Sequence, residues 1–288
     1  MKSFFLLPNP TKDIGYALTS KIVSFLSEGG AKLYADEIHA AHLNHVTPCK
    51  QGEIPSDVEA ILVLGGDGSV IRGATLALRN KLPILAVNLG HLGYLANVEP
   101  DDFEKLSVLL QENVDLRSHI VLSVRIHQRD GQMIEATAVN EVVVCNNHDF
   151  NIAEIALTDM KASGSSVSYR ADGLIVCTPL GSTAYSLSAG GPIIDSSADV
   201  FCVTPICPHS FFSRSILFSP DSVLQLKNES CKGLPHAVNI DGQKVHTLLP
   251  GEFVEIAVSA QRLTFVDIGH HGVLDVLGRK MMTSNVKF

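Results

Sequence analysis

Two hydrophobic periodicities divide the chain. In the first third, short runs that are apolar throughout alternate with helix-like segments. Phe4–Leu7, Ile61–Leu64 and Ile84–Val87 read as strands buried on both faces. Between them, Thr11–Glu28, closed by Gly29-Gly30, and Val70–Arg79 predict helices, and Phe103–Gln111 predicts one more amphipathic helix. Such an alternation builds a parallel sheet covered on both faces. From about residue 118 the period falls to two. Leu122, Val124 and Ile126 alternate with Ser123, Arg125 and His127, and Val254, Ile256 and Val258 alternate with Glu255, Ala257 and Ser259. Asp130-Gly131 and Asp241-Gly242 supply hairpin turn signals, so this half predicts antiparallel strands, interrupted by one short helix-like piece over Thr183–Ala189. The expected fold is an amino-terminal Rossmann-like α/β domain, residues 1–117, and a carboxy-terminal all-β, sandwich-like domain, residues 118–268. A tail, 269–288, is left over and is expected to pack back on the first domain.

Composition narrows the class. With 288 residues and 45% hydrophobic content, the chain is expected to be globular. A formal charge of −8 argues against a nucleic-acid partner. No apolar run reaches membrane-span length. Pro8 and Pro10 break the amino-terminal apolar run, which reads as a first strand and turn rather than a signal peptide. Six scattered cysteines with no C-x-x-C pair predict reduced thiols and a cytoplasmic location, with no metal-ligating residues assigned.

Three stretches carry candidate chemistry. Gly65-Gly66-Asp67-Gly68-Ser69 joins a buried strand to a helix, the place where open α/β sheets collect ligands. Glycines let backbone approach a phosphate, and the N–H groups at a helix start favour anions. The same residues also suit an ordinary tight turn, with Asp67 or Ser69 as the helix cap. If phosphate binds here, Asp67 has two possible tasks, holding a metal on the phosphates or taking a proton from an attacking hydroxyl. Asn140-Glu141, before the run Val142–Val144, is either a polar strand start or an amide and carboxyl pair for ribose hydroxyls or an adenine edge. In 170–192, RADGLIVCTPLGSTAYSLSAGGP, a buried strand is followed by a turn at Pro179 and Gly181, Ser182 as a candidate cap, and a helix stopped by Gly190-Gly191-Pro192. Small residues there admit a flat ligand, and Tyr185 can stack on one. No G-x-S-x-G elbow occurs, which excludes the common serine-hydrolase layout. His39, His42 and His45, like His270-His271, do not match H-E-x-x-H and read as solvated surface.

Gly65–Gly68, Asn140-Glu141 and the stretch from Asp172 to Pro192, in that order, closely resemble the NAD kinase family, with Pro208–Ser210 (PHS) and Asp241–Gln243 (DGQ) extending the likeness over most of the chain. The glycine turn is shared with diacylglycerol kinases, sphingosine kinases and phosphofructokinases, whereas the long third motif is specific to NAD kinases. The resemblance implies ATP-dependent phosphorylation of the adenosine ribose 2′-hydroxyl of NAD to NADP, with Mg²⁺ or Mn²⁺, in a homodimer or homotetramer. It makes Asp67 the general base with Gly68 beside it, and makes Asn140, Glu141 and Asp172 dinucleotide contacts. Thr183, Ala184 and Tyr185 would line the adenine and ribose pocket with Ser186 and Ser188 close by, and Gln243 falls at a further contact position. Arg72 and Arg170 are phosphate or pyrophosphate ligands on this reading, and Arg170 also matches family forms that prefer NAD to NADH. Ser69 stands where threonine is usual, and Leu180 where threonine or serine is usual, so no hydroxyl is available at 180. Two other readings stay open: a lipid or sphingoid-base kinase sharing the glycine turn, and a dinucleotide-binding regulator without turnover.

Overall fold

The computed structural model describes residues 2–89, 98–147, 151–162, 165–209 and 213–269. Ser210 of the PHS motif, His270-His271 and the tail 270–288 lie outside them. The described residues form two compact units, 2–118 with 263–269, and 119–262.

In the first unit, β1 (Ser3–Pro8), α1 (Ala17–Glu28), β2 (Lys32–Asp36), α2 (Glu37–Ala40), β3 (Val46–Cys49), β4 (Ala60–Gly65), α3 (Asp67–Asn80) and β5 (Ile84–Asn88) follow in order. The strands pair in parallel as β5-β4-β1-β2-β3, and Phe265 pairs with Ile84. Phe4, Leu6, Leu62, Leu64, Leu85 and Val87 form one core with Ile22, Val23 and Leu26 of α1. Burying strands on both faces requires the unbroken apolar runs seen in the sequence.

Local chemistry moves several boundaries. The first helix starts at Ala17, not Thr11, because Gly15 and Tyr16 take left-handed φ of 68° and 57°. Asp13, lying before that turn, accepts the N–H groups of Leu18 and Thr19 at 3.0 and 2.8 Å, the task of an N-cap side chain. The helix expected over 103–111 is a 3-10 helix, Pro100–Leu110, whose buried Leu106 and Leu109 sit three apart, as that tighter coil requires. Two short strands, β2 and β3, were not read from the pattern. β3 is a half-exposed edge carrying Pro48, where a missing N–H is tolerated. His39 accepts or donates a hydrogen bond at 2.8 Å to the Tyr16 hydroxyl and His42 stacks on the same ring, so two of the three histidines pack on Tyr16 rather than simply facing water.

The second unit is built of β6 (Leu116–His127), β7 (Met133–Ala138), β8 (Glu141–Asn146), β9 (Ala153–Asp159), β10 (Ser166–Ala171), β11 (Gly173–Cys177), α4 (Tyr185–Ser188), β12 (Phe201–Ile206), β13 (Ile216–Phe218), β14 (Val223–Asn228), β15 (His236–Ile240), β16 (Gln243–Leu248) and β17 (Phe253–Val266), its limits at 119 and 262 falling inside β6 and β17. One antiparallel sheet contains β10-β9-β14-β17 with β6 and β7; the other runs β13-β12-β11-β8-β15-β16. Alternate residues of both, among them Leu122, Val124, Val144, Leu157, Val176, Leu226, Val238 and Ile256, share one buried core, which makes the unit a sandwich. Asp241 and Gly242, at φ 47° and 79°, close the two-residue β15–β16 hairpin that their sequence announces. On the outer face of the second sheet, Val143, Ile175, Cys177 and Cys202 are covered by Ile194 and its neighbours.

Candidate active site

β4 runs fully buried to Gly65, and α3 begins at Asp67 with Gly66 as its N-cap. The N-cap position is Gly66, which has no side chain, so neither Asp67 nor Ser69 occupies the N-cap of α3. Ser69 instead accepts a hydrogen bond at 2.9 Å from the Asn9 side-chain amide, and a longer one from Arg72 at 3.4 Å. Gly65 must be glycine, since a Cβ there would lie 2.5 Å from that of Ser69. Gly68 is exposed, with nothing within 4 Å of where a Cβ would stand, so protein packing does not require a glycine at this position. Asp67 is half-buried in the first turn of a 14-residue helix. Lys12, from the loop after β1, brings its ammonium against the Gly66 backbone. The first unit therefore gathers Asp67, Gly68, Arg72, Ser69 and Lys12 around one glycine turn. Asn9 and Lys12 escaped sequence reading because nothing in NPTK announces a partner some 60 residues away.

In the second unit, Asn140 immediately precedes β8 and Glu141 opens it, and each is 7% exposed. Among the described residues, Asn140 Oδ1 and Glu141 Oε2 have no hydrogen-bond partner. Burial, with a smaller contribution from the Asp241 carboxylate, pushes the Glu141 carboxyl up to about 7. Asp241 is itself raised by burial, against the three backbone N–H groups it accepts. Because the folded Glu141 holds its proton to higher pH than the unfolded chain, its contribution to stability is complete at acid pH and is lost as pH rises through about 7. Glu141→Gln mimics the protonated form. The variant's stability relative to wild type should therefore increase from pH 5 to pH 8 in urea unfolding; a difference independent of pH would contradict a raised Glu141.

The segment after β11 is two short pieces rather than one helix: a 3-10 turn, Leu180–Thr183, and α4, broken at Ala184. Ser182 does not cap α4; its hydroxyl donates to Pro179 O at 2.7 Å and accepts from Ile194 N at 3.1 Å, tying the turn down. Thr178 N donates to Asn140 O at 2.9 Å, and Gly181 N donates to the Thr178 hydroxyl at 3.1 Å. Thr183 and Ala184 are half-buried, Ser188 is exposed, and Tyr185 is 46% exposed. Ser186 is fully buried and its hydroxyl bonds that of Thr204 at 3.1 Å. Burial, and then the neighbouring Cys145, Cys207 and Asp172, push the Tyr185 phenol up. The strand register separates two groups of residues: Glu141 lies opposite Cys177, whereas Cys145 lies opposite Gly173. Asn140-Glu141 and Asp172 therefore lie at opposite ends of the β8–β11 pair, about 13 Å apart at strand rise. Gln243 is exposed at the start of β16, just past Asp241. Arg170 is exposed on β10 and pairs with Glu154 at 3.7 Å, beside a cavity of 120 Å³ that also takes in Asn151, Ser230 and Lys232.

The model of the ATP-NAD kinase N-terminal domain matches residues 4–113, and that of the ATP-NAD kinase C-terminal domain matches 139–268. An NAD kinase of Caldanaerobacter subterraneus subsp. tengcongensis is 34% identical over 286 residues, 98% of this chain and 99% of the relative. One from Thermoanaerobacter pseudethanolicus is 33% identical over 285 residues, with 98% and 99% covered. Among solved structures, yeast NADH kinase complexed with NADH matches with a TM-score of 0.87 at 19% identity, covering 100% of this chain and 89% of that one. An NAD kinase from Archaeoglobus fulgidus in complex with ATP matches at 0.72 and 23%, with both chains covered completely.

Proposed function

The chain belongs to the NAD kinase family and is a kinase acting on NAD, and from that premise we propose that ATP is the donor, the adenosine ribose 2′-hydroxyl the acceptor, and Asp67 the general base. The observation that carries the reading is the pair of buried oxygens, Asn140 Oδ1 and Glu141 Oε2, left without partners. Buried polar atoms are normally satisfied, and leaving one unmet costs about 1–3 kcal/mol. Ribose hydroxyls are donors that would satisfy both. A ligand reaching from there to Asp172 would be about 13 Å long or more, a span a dinucleotide covers, with Thr183, Ala184, Tyr185 and Ser188 along its path and Gln243 near its Asn140-Glu141 end. The buried Ser186 hydroxyl would support that wall from behind rather than touch the ligand.

The glycine turn suits the donor. Backbone N–H groups at the start of α3 and the Arg72 guanidinium favour phosphate oxygens. A ribose hydroxyl is a weak nucleophile at neutral pH, and Asp67 would take its proton as the phosphoryl group moves. The divalent ion, Mg²⁺ or Mn²⁺, would enter on ATP and neutralise charge developing on the phosphates. Among the described residues no group of three or more His, Cys, Asp or Glu side chains forms a metal cage, and a phosphate-borne ion that keeps its waters needs at most one or two carboxylates. Arg72→Ala should raise the KM for ATP several-fold and leave the KM for NAD unchanged in steady-state kinetics. A change confined to NAD would move Arg72 out of the donor site.

The family also implies a homodimer or homotetramer in the cytoplasm. The six cysteines are free thiols, and among the described residues no helix is long and apolar enough to cross a membrane. Purified protein incubated with Mg-ATP and NAD should yield NADP, scored by an NADP-specific dehydrogenase. Phosphorylated lipid without NADP would favour a lipid kinase, and NAD binding without product would favour a regulator.

A further inference from the structure

We propose that Asp241 is a positioning residue for the dinucleotide: its buried carboxylate fixes the Val139–Glu141 backbone so that the two unpartnered side-chain oxygens stand ready before ligand arrives. This rests on reading Asn140 and Glu141 as dinucleotide contacts. The geometry is unusually complete. Asp241 Oδ2 accepts the Val139 N–H at 2.8 Å, and Oδ1 accepts those of Asn140 and Glu141 at 2.8 and 3.1 Å. Asp241 N donates back to Glu141 O at 3.0 Å. Thr178 serves the remaining carbonyls, its hydroxyl donating to Val139 O at 2.7 Å and its N–H to Asn140 O at 2.9 Å. Every backbone N–H and C=O of residues 139–141 is thus satisfied within the second unit, while Asn140 Oδ1 and Glu141 Oε2 are not.

A carboxylate is a costly choice for this task, because burial opposes its charge. It is also the one side chain with two oxygens and acceptor capacity for three N–H groups at once. Its place in a left-handed two-residue turn lets the backbone N–H and the carboxylate of one residue grip the same tripeptide. The titratable groups facing the Glu141 carboxyl are Asp241 and, across β11, the protonated Cys177 thiol.

The test uses the full chain and Asp241→Asn, which keeps the shape and one acceptor oxygen but turns the other into a donor facing an N–H. The KM for NAD should rise about tenfold or more with the KM for ATP unchanged. In an Asn140→Ala/Glu141→Gln background the same change should add less than twofold, since nothing remains to be positioned. Equal losses in both backgrounds, or parallel rises for NAD and ATP, would overturn the proposal and leave a structural role. Should Asp241→Asn fail to fold, amide exchange on the wild type decides the matter. The Val139, Asn140 and Glu141 amides should exchange as slowly without NAD as those of central β8; rapid exchange until NAD is added would overturn pre-positioning. A wild-type control that makes no NADP would remove the ground of both readings, whereas an active wild type with additive variants would sink this inference alone.

Discussion

Replacing Asp67 with asparagine should lower kcat by about 10² to 10⁴-fold, the usual worth of a positioned general base, while the dissociation constant for NAD changes little. The asparagine keeps the size and hydrogen-bonding shape of the side chain but cannot take the hydroxyl proton. Asp67 stands in the first turn of α3, where the helix N-terminus favours its charge and where the exposed Gly68 leaves room beside it. Alignment of donor and acceptor, and the backbone N–H groups, would remain and supply the residual rate. Rapid-quench measurement of a single turnover separates the chemical step from product release. Near wild-type chemistry in that variant would remove Asp67 as the general base.

Gly181→Ala should be the most damaging change in the second unit. A Cβ at 181 would lie 2.5 Å from the Asn140 carbonyl carbon and 2.8 Å from its Cα, distances real side chains do not tolerate. The opposing atoms are backbone, so relief requires moving either the Leu180–Thr183 turn or the start of β8. Overpacking of this kind costs about 1–3 kcal/mol or more. Because the displaced group is Asn140 itself, NAD affinity should fall at least tenfold even where the fold survives. Thermal unfolding together with NAD titration checks both parts. Unchanged affinity would show that Asn140 and the 181 turn are not one site.

The two architectures were legible because burial leaves a direct mark on sequence. Strands covered on both faces must be apolar throughout, as Ile61–Leu64 is, and sandwich strands must alternate, as Leu122 to Ile126 do. The glycine turn was legible for the same reason, lying where a buried strand meets a helix. What stayed hidden depends on contacts distant in sequence or on one residue's backbone angle. The start of α1 is set by left-handed Gly15 and Tyr16, with Asp13 reaching past them to Leu18 and Thr19. Asp241 was read as half of a turn signal, and its grip on residues about 100 positions earlier left no periodicity to find. Ser186 and Ser188 look alike in sequence, yet one is sealed against Thr204 and the other exposed. Hydroxyl positions become distinguishable only when the packing of the turn is known.

The central claim is that phosphate from ATP reaches the 2′-oxygen of the adenosine ribose of NAD. Phosphorus NMR of the product formed from NAD and Mg-ATP tests it most directly. The account predicts a new monoester resonance coincident with the 2′-phosphate of authentic NADP, growing in step with ADP. A monoester at another ribose position, or ADP released with NAD unchanged, would contradict it.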